Sequence, residues 1–165
     1  MCGTSVPNDM ARSLIVLPDD SARAIVTAID DAKRSLRIKM FVFSDSVLQK
    51  AVIAASRRGV NVRVMLNAAR RDGEHDNERT RKMLERAHIH VRDANPAFAL
   101  THEKSMVVDG SRAFIQSFNW TTKNLTQTRD YAVVTTRKHD VAEVIDAHEE
   151  HRHNAVDDSG KKDVR

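Results

Sequence analysis

One cysteine, Cys2, is the whole thiol complement of the 165-residue sequence. A single thiol excludes an internal disulfide and any metal site built from cysteines. No apolar run approaches the roughly 20 residues needed to cross a bilayer, so no membrane span is expected. The N-terminal MCGTSVPNDMARSLIVLP lacks a charged start followed by a long apolar core, and does not read as a secretory signal. As it stands the sequence points to the cytoplasm; a periplasmic or secreted protein whose export signal has been trimmed would read the same way. Internal repeats and low-complexity linkers are missing too, and the length fits one domain. We expect that domain to span 1–165, with an ordered core over about 12–153 and a polar tail over 154–165.

What is present is the balance of a globular chain, 41% apolar and 30% charged, with a formal charge of +4. Arginines and lysines recur along the sequence instead of gathering in one tail. Such a modest positive field favours a polyanionic partner, nucleic acid or anionic lipid.

Apolar spacing predicts a helix over Ser21–Ser35, capped by Asp19 or Asp20, then a strand in LRIKMFVFS, Leu36–Ser44. A second helix, SVLQKAVIAASRR, opens at Asp45 or Ser46 and stops at Gly59 as a C-cap would, before a strand over Asn61–Asn67. Strand, helix, glycine, strand is a βαβ unit, which implies a parallel pair. A charged loop, AARRDGEHDN, leads to a helix over about Glu78–Ala87 and a short strand, Ile89–Asp93. Asn95-Pro96 breaks the pattern, and Asp130–Thr136 and His139–Arg152 read as a last strand and helix. The fold class is α/β, a mixed β-sheet flanked by helices on both faces.

Between the break and the last strand lies HEKSMVVDGSRAFIQSFN, His102–Asn119. An apolar run, Asp109-Gly110, and a second apolar run signal a β-hairpin. With a four-residue loop Val108 faces Ala113, so His102 lies opposite Asn119 and Lys104 opposite Ser117. All four then share one face with Met106, Val108, Ala113 and Ile115, forming a polar pocket on an apolar floor. A slip of one residue would scatter the set to both faces.

Histidine can serve as nucleophile or general acid near neutral pH, and lysine supplies fixed positive charge. Serine and asparagine add short donors for oxyanions, so the set can hold a phosphoryl group and attack it. No carboxylate cluster accompanies them and no cofactor or metal is required. The competing interpretation, in which each residue is ordinary strand-end polarity, weakens when four occur at matched spacing. Trp120, Lys123 and Arg129 follow the motif and could contact bases or backbone, although packing suits Trp120 better than stacking. The ARRDGEHDNERTRK segment is a solvated helix face or the rim of a substrate groove. His148, His151 and His153 read as a solvated helix end rather than a metal site, and no role is assigned to His88 or His90.

His102-x-Lys104, four residues, Asp109, and then Gln116-Ser117-Phe118-Asn119 resemble the H-x-K-x-x-x-x-D and following G-S-x-N signature of the phospholipase D superfamily. The order of helix, LRIKMFVFS, helix and RRGVNVRVMLN is similar to the family's N-terminal half, so the resemblance covers most of residues 12–150 and implies a phospholipase D-like fold. Most members carry two motifs. This chain has one, like the small bacterial endonucleases that complete their active site as homodimers.

The resemblance implies that His102 attacks phosphorus to form a phosphohistidine while His102 of a second copy protonates the leaving oxygen. It also implies that Lys104 and Asn119 hold phosphate oxygens and that Ser117 supports the site. Asp130 takes the place of a glutamate that orients a histidine, and Asp109 is structural. Gln116 departs from the family glycine. The expected function is a metal-independent phosphodiesterase, foremost an endonuclease on DNA or RNA. The alternatives are a phospholipase D or cardiolipin synthase-like enzyme on phospholipid head groups, and a nucleic-acid-binding module with weak or no turnover.

Overall fold

The computed structural model describes residues 11–68 and 77–149. Its elements are β1 (Arg12–Leu17), α1 (Arg23–Asp30), β2 (Ser35–Met40), α2 (Ser46–Arg57), β3 (Asn61–Leu66), α3 (Glu78–Arg86), β4 (His90–Asp93), β5 (Lys104–Val108), β6 (Arg112–Gln116), α4 (Thr122–Gln127), β7 (Asp130–Thr135) and α5 (Lys138–Glu149). The seven strands form one sheet in the order β1-β7-β6-β5-β2-β3-β4. β2, β3 and β4 run parallel to their neighbours within that group, and the remaining pairings are antiparallel. The sheet is mixed, as the sequence implies, with the βαβ unit at β2-α2-β3.

Local chemistry accounts for the element ends. The Asp45 carboxylate accepts the Val47 and Leu48 amides, each at 3.0 Å, and caps α2. Gly59 follows the last turn at φ +89°, the left-handed conformation that a chain leaving a helix needs. α1 ends at Asp30, short of the expected Ser35, because the next turn is held elsewhere. There the Asp109 side chain accepts the backbone N–H groups of Lys33, Arg34 and Ser35, the Arg34 bond at 2.7 Å. β2 stops at Met40, and Phe41–Phe43 leave the ladder for a bracket made by the buried Asn77 amide. That amide donates to the Phe41 carbonyl at 2.8 Å and accepts the Phe43 N–H at 2.9 Å. β1 and α4 were not anticipated.

Alternation along the strands divides the core between two faces. Leu36, Ile38, Met40, Val62, Val64, Leu66, Met106, Val108 and Phe114 pack with Ile25 and Ile29 of α1 and Leu48 and Val52 of α2. On the other face Val107 and Ala113 lie under Val141 and Val144 of α5. Each fully buried large aliphatic side chain contributes roughly 1.5–3 kcal/mol, so the first face dominates stability. Among the described residues no helix is long and apolar enough to cross a membrane.

The hairpin register differs from the expected one by a residue. Val108 pairs with Arg112 and Ser105 with Ile115, leaving a three-residue loop, Asp109–Ser111. Asp109 at φ +54° and Gly110 at φ +66° make this tighter turn. Continued to the strand ends, the register sets Lys104 opposite Gln116, not Ser117. Ala113 and Ile115 therefore lie on the face opposite Met106 and Val108, and Ile115 is 46% exposed. The expected floor of four apolar residues is corrected to Met106, Val108 and Phe114 on the Lys104 face.

Candidate functional site

Despite that shift, the motif residues come together at the end of the sheet where β2 and β6 stop and β5 and β7 begin. The chain leaves β6 at Ser117 and crosses the start of β5 to reach the end of β2. Trp120 donates its N–H to the Val42 carbonyl at 2.9 Å, and its own carbonyl accepts Ser44 and Asp45 at 2.8 Å each. This crossing carries Asn119 over the mouth of the site, between the fully buried Phe118 and Trp120. The Asn119 Oδ1 is buried and has no hydrogen-bond partner among the described residues. The acceptor capacity of that oxygen is therefore unused.

Lys104 is buried, and its Nζ donates to the His102 carbonyl at 2.9 Å while lying 3.1 Å from Nδ1 of the His102 ring. The imidazole rests edge-on against Phe41, ring centroids 4.6 Å apart. Burial first, and the Lys104 charge second, push the His102 pKa below its ordinary value. Burial also lowers the Lys104 pKa, against the opposing pull of the Asp130 carboxylate.

Asp130 is placed differently from its expected role. Its Oδ1 accepts the Ser117 hydroxyl at 2.7 Å and its Oδ2 accepts the Thr128 hydroxyl. No hydrogen bond joins it to His102 within this chain. The shorter acid has both oxygens engaged at its own end of β7, and it acts on the site as a negative charge near Lys104. Ser117 in turn accepts the Tyr131 N–H at 3.0 Å, which fixes the β6–β7 junction.

Gln116, the departure from glycine, faces the Lys104 side and is buried, and its Oε1 accepts the Trp120 indole N–H at 2.8 Å. The longer side chain anchors the crossing segment from below. Trp120 is fully buried and packs edge-on against Phe43 at 4.9 Å. Its placement in the core agrees with the packing reading and sets aside the substrate contact weighed beside it. Lys123 is exposed on α4. Asp109 is far along the strand at the turn, where it bonds to Lys33–Ser35 as described.

His148 also needs correction, because it is buried rather than solvated at a helix end. Its Nε2 lies 2.7 Å from the Ser105 hydroxyl, which bonds Glu103 at 2.6 Å, and Glu103 pairs with Lys39 at 3.2 Å. Burial, with Lys39, Arg37 and Arg92 nearby, pushes the His148 pKa down to about 3. Glu103 and Ser105 alternate with His102 and Lys104, so the strand period alone places them on the opposite face. Phe41, Thr128 and this buried network were missed in the sequence. Only Glu103 and Ser105 carried a local signal. His151, His153 and most of the charged 68–77 loop lie outside the described residues. Among the described residues no group of three or more histidine, cysteine or acidic side chains gathers as a metal would require.

The family described as "Cardiolipin synthase, PLD-like domain" matches residues 25–152. No curated protein sequence matches this chain significantly. Among solved structures it is similar to Nuc from Salmonella typhimurium, a phospholipase D family member, at 27% identity and a TM-score of 0.73, covering 84% of this chain and 93% of that one. NucT from Helicobacter pylori is similar in fold at 18% identity and a TM-score of 0.74, over the same shares. The archaeal chromatin protein TrmBL2 shares the fold at 13% identity and a TM-score of 0.61, covering 90% of this chain and 54% of its own.

Proposed function

The chain belongs to the phospholipase D-like family, and on that premise we propose that it hydrolyses phosphodiester bonds without a metal, as a homodimeric nuclease acting on DNA or RNA. One observation carries the reading: the His102 ring lies 3.1 Å from the amine of the buried Lys104, with Asn119 following on the segment that crosses the start of β5. A neutral imidazole presents the lone pair that a phosphorus nucleophile requires. Lys104 and the Asn119 side-chain N–H groups supply a charge and a dipole for the non-bridging oxygens, beside the Phe41 ring.

In the first step a ring nitrogen of His102 bonds to phosphorus as the bond to the leaving oxygen breaks. A proton reaches that oxygen from His102 of a second copy, which enters the step as the imidazolium, a form favoured by the negative charge of the bound phosphodiester. That second imidazole, now neutral, takes a proton from water as the water oxygen attacks phosphorus. The phosphorus–nitrogen bond breaks, the phosphate monoester leaves and both rings return to their starting states. One chain offers only one such histidine, so a second copy completes the set. An apolar row on the sheet supports the docking: Leu14, Val133 and Ile115 are cross-strand neighbours on β1, β7 and β6, and all are exposed. Exposed apolar surface of this kind marks an interaction face. Among candidate substrates, the net positive charge and the distributed arginines favour nucleic acid.

The test is to incubate the purified protein with single- and double-stranded DNA, RNA and phosphatidylcholine vesicles in excess EDTA, beside His102→Ala. Cleavage of nucleic acid that resists EDTA and falls by roughly 10³-fold or more in the variant is expected. Cleavage abolished by EDTA would refute the metal-free chemistry. Turnover of phosphatidylcholine alone would assign a lipid substrate, and binding without cleavage would assign a recognition module.

A further inference from the structure

A second concentration of charge lies on the α5 face of the sheet, and the His102 site does not use it. The parallel register sets Arg37, Arg63 and His90 side by side on β2, β3 and β4, with Arg92 further along β4 beside Met65. Like charges directly across adjacent strands repel, so such a row is unfavourable unless an anion lies against it. Among the described residues the only carboxylate paired with the row is Glu149, at the end of α5. It is 3.3 Å from Arg37 Nε and 3.6 Å from Arg63. Arg92 donates instead to the His148 carbonyl. Two guanidiniums share one carboxylate, and the third has only a backbone carbonyl.

Anchoring of α5 does not account for the whole set. The last carbonyls of the helix are already met, Ala147 by Lys39 at 2.9 Å and His148 by Arg92. Arg37 and Arg63 reach only the Glu149 side chain, and Arg63 remains 51% exposed. Between these side chains opens a cavity of about 280 Å³, lined also by Ile38, Val64 and Met65 of the strands beneath. That volume is near the small end of ligand sites. Guanidinium forks match the tetrahedral oxygens of a phosphate, and partial burial limits screening by salt.

We propose that this cleft is a second, non-catalytic anion site that takes a phosphate group, with Arg37, Arg63 and Arg92 as its donors and Glu149 as the built-in competitor. An incoming phosphate replaces the Glu149 carboxylate between Arg37 and Arg63. This competition gives the site a sign that a structural ion pair lacks: removing the acid strengthens binding.

The experiment is a titration followed by NMR at the arginine side-chain Nε–H signals. His102→Ala serves as the parent, so that the first site neither turns over nor dominates. Inorganic phosphate is one ligand and a short single-stranded oligonucleotide the other. Saturable shifts of the Arg63 and Arg92 signals are expected, weakened roughly tenfold by Arg63→Ala and strengthened severalfold by Glu149→Gln. A tighter oligonucleotide complex that weakens steeply with salt would identify a nucleic-acid backbone as the source of the phosphate. Equal affinity for the two ligands would identify a free or small phosphate. Arginine signals that move with neither ligand would overturn the proposal. So would a folded Glu149→Gln variant, by circular dichroism, that binds no more tightly than its parent.

Discussion

In the proposed mechanism His102 is the nucleophile, and what surrounds it gives a prediction in pH. Its pKa is lowered by burial first and by the neighbouring Lys104 charge second. A lowered value keeps the ring unprotonated further into acid. The acidic limb of kcat/KM is therefore expected below the ordinary imidazole value of about 6.5. Lys104→Met keeps the burial and removes the charge, so its acidic limb should lie above that of the wild type, with kcat reduced by roughly 10²–10³-fold. A wild-type limb at or above the ordinary value would remove His102 from the nucleophile's role. Asp130 bears on the opposite flank. Its carboxylate offsets part of the fall that burial imposes on the Lys104 pKa, and so favours the charged amine.

The β5–β6 hairpin shows at the scale of an element how a distant contact sets a register. Asp109 takes a left-handed conformation, and its carboxylate collects the amides of Lys33, Arg34 and Ser35 between α1 and β2. Burial works to raise the Asp109 pKa, but these amides prevail and hold it below the ordinary carboxylate value. The folded carboxyl releases its proton more readily than the unfolded one. Its stabilisation is therefore complete above about pH 4 and is lost as pH falls through the folded value. Asp109→Ala is expected to cost about 1–2 kcal/mol near neutrality, the low end for charge-assisted bonds because the site is partly open to solvent. Asp109→Asn, which tolerates the left-handed turn, should cost less. Thermal unfolding checks both, through a Tm lower by roughly 2–6 °C for alanine. The turn was legible in Asp109-Gly110 and its loop length was not, because the amides that set it lie some 75 residues away. In the same way Gly59 marked the end of α2, where local chemistry suffices. The burial of His148 against Ser105 depends on how α5 crosses the sheet, which no local pattern of α5 encodes.

At the scale of the whole molecule, the sheet is covered unequally. α1 and α2 lie over one face, while on the other α5 covers Val107 and Ala113 and leaves Leu14, Ile115, Tyr131 and Val133 exposed at 55%, 46%, 47% and 39%. Ser117 donates its N–H to the Tyr131 carbonyl and accepts the Tyr131 N–H at its hydroxyl, so this apolar strip begins at the strand end that carries the site, on the face opposite Lys104. A stable twofold interface needs about 800 Å² from each partner, so the strip would form the interface centre and adjoining polar residues the rim. In an isologous contact a charge placed near the axis meets itself, and Val133→Arg should for that reason dissociate the dimer without disturbing the first core. The expected outcome is a monomer by sedimentation with a native circular dichroism spectrum and nuclease activity lost with the partner. Subunit mixing distinguishes a shared site from mere association. Wild-type chains exchanged with excess His102→Ala should lose activity in proportion to the inactive fraction. The double variant His102→Ala, Val133→Arg should leave them unaffected. A Val133→Arg monomer that retains full activity would show that one chain suffices for the chemistry.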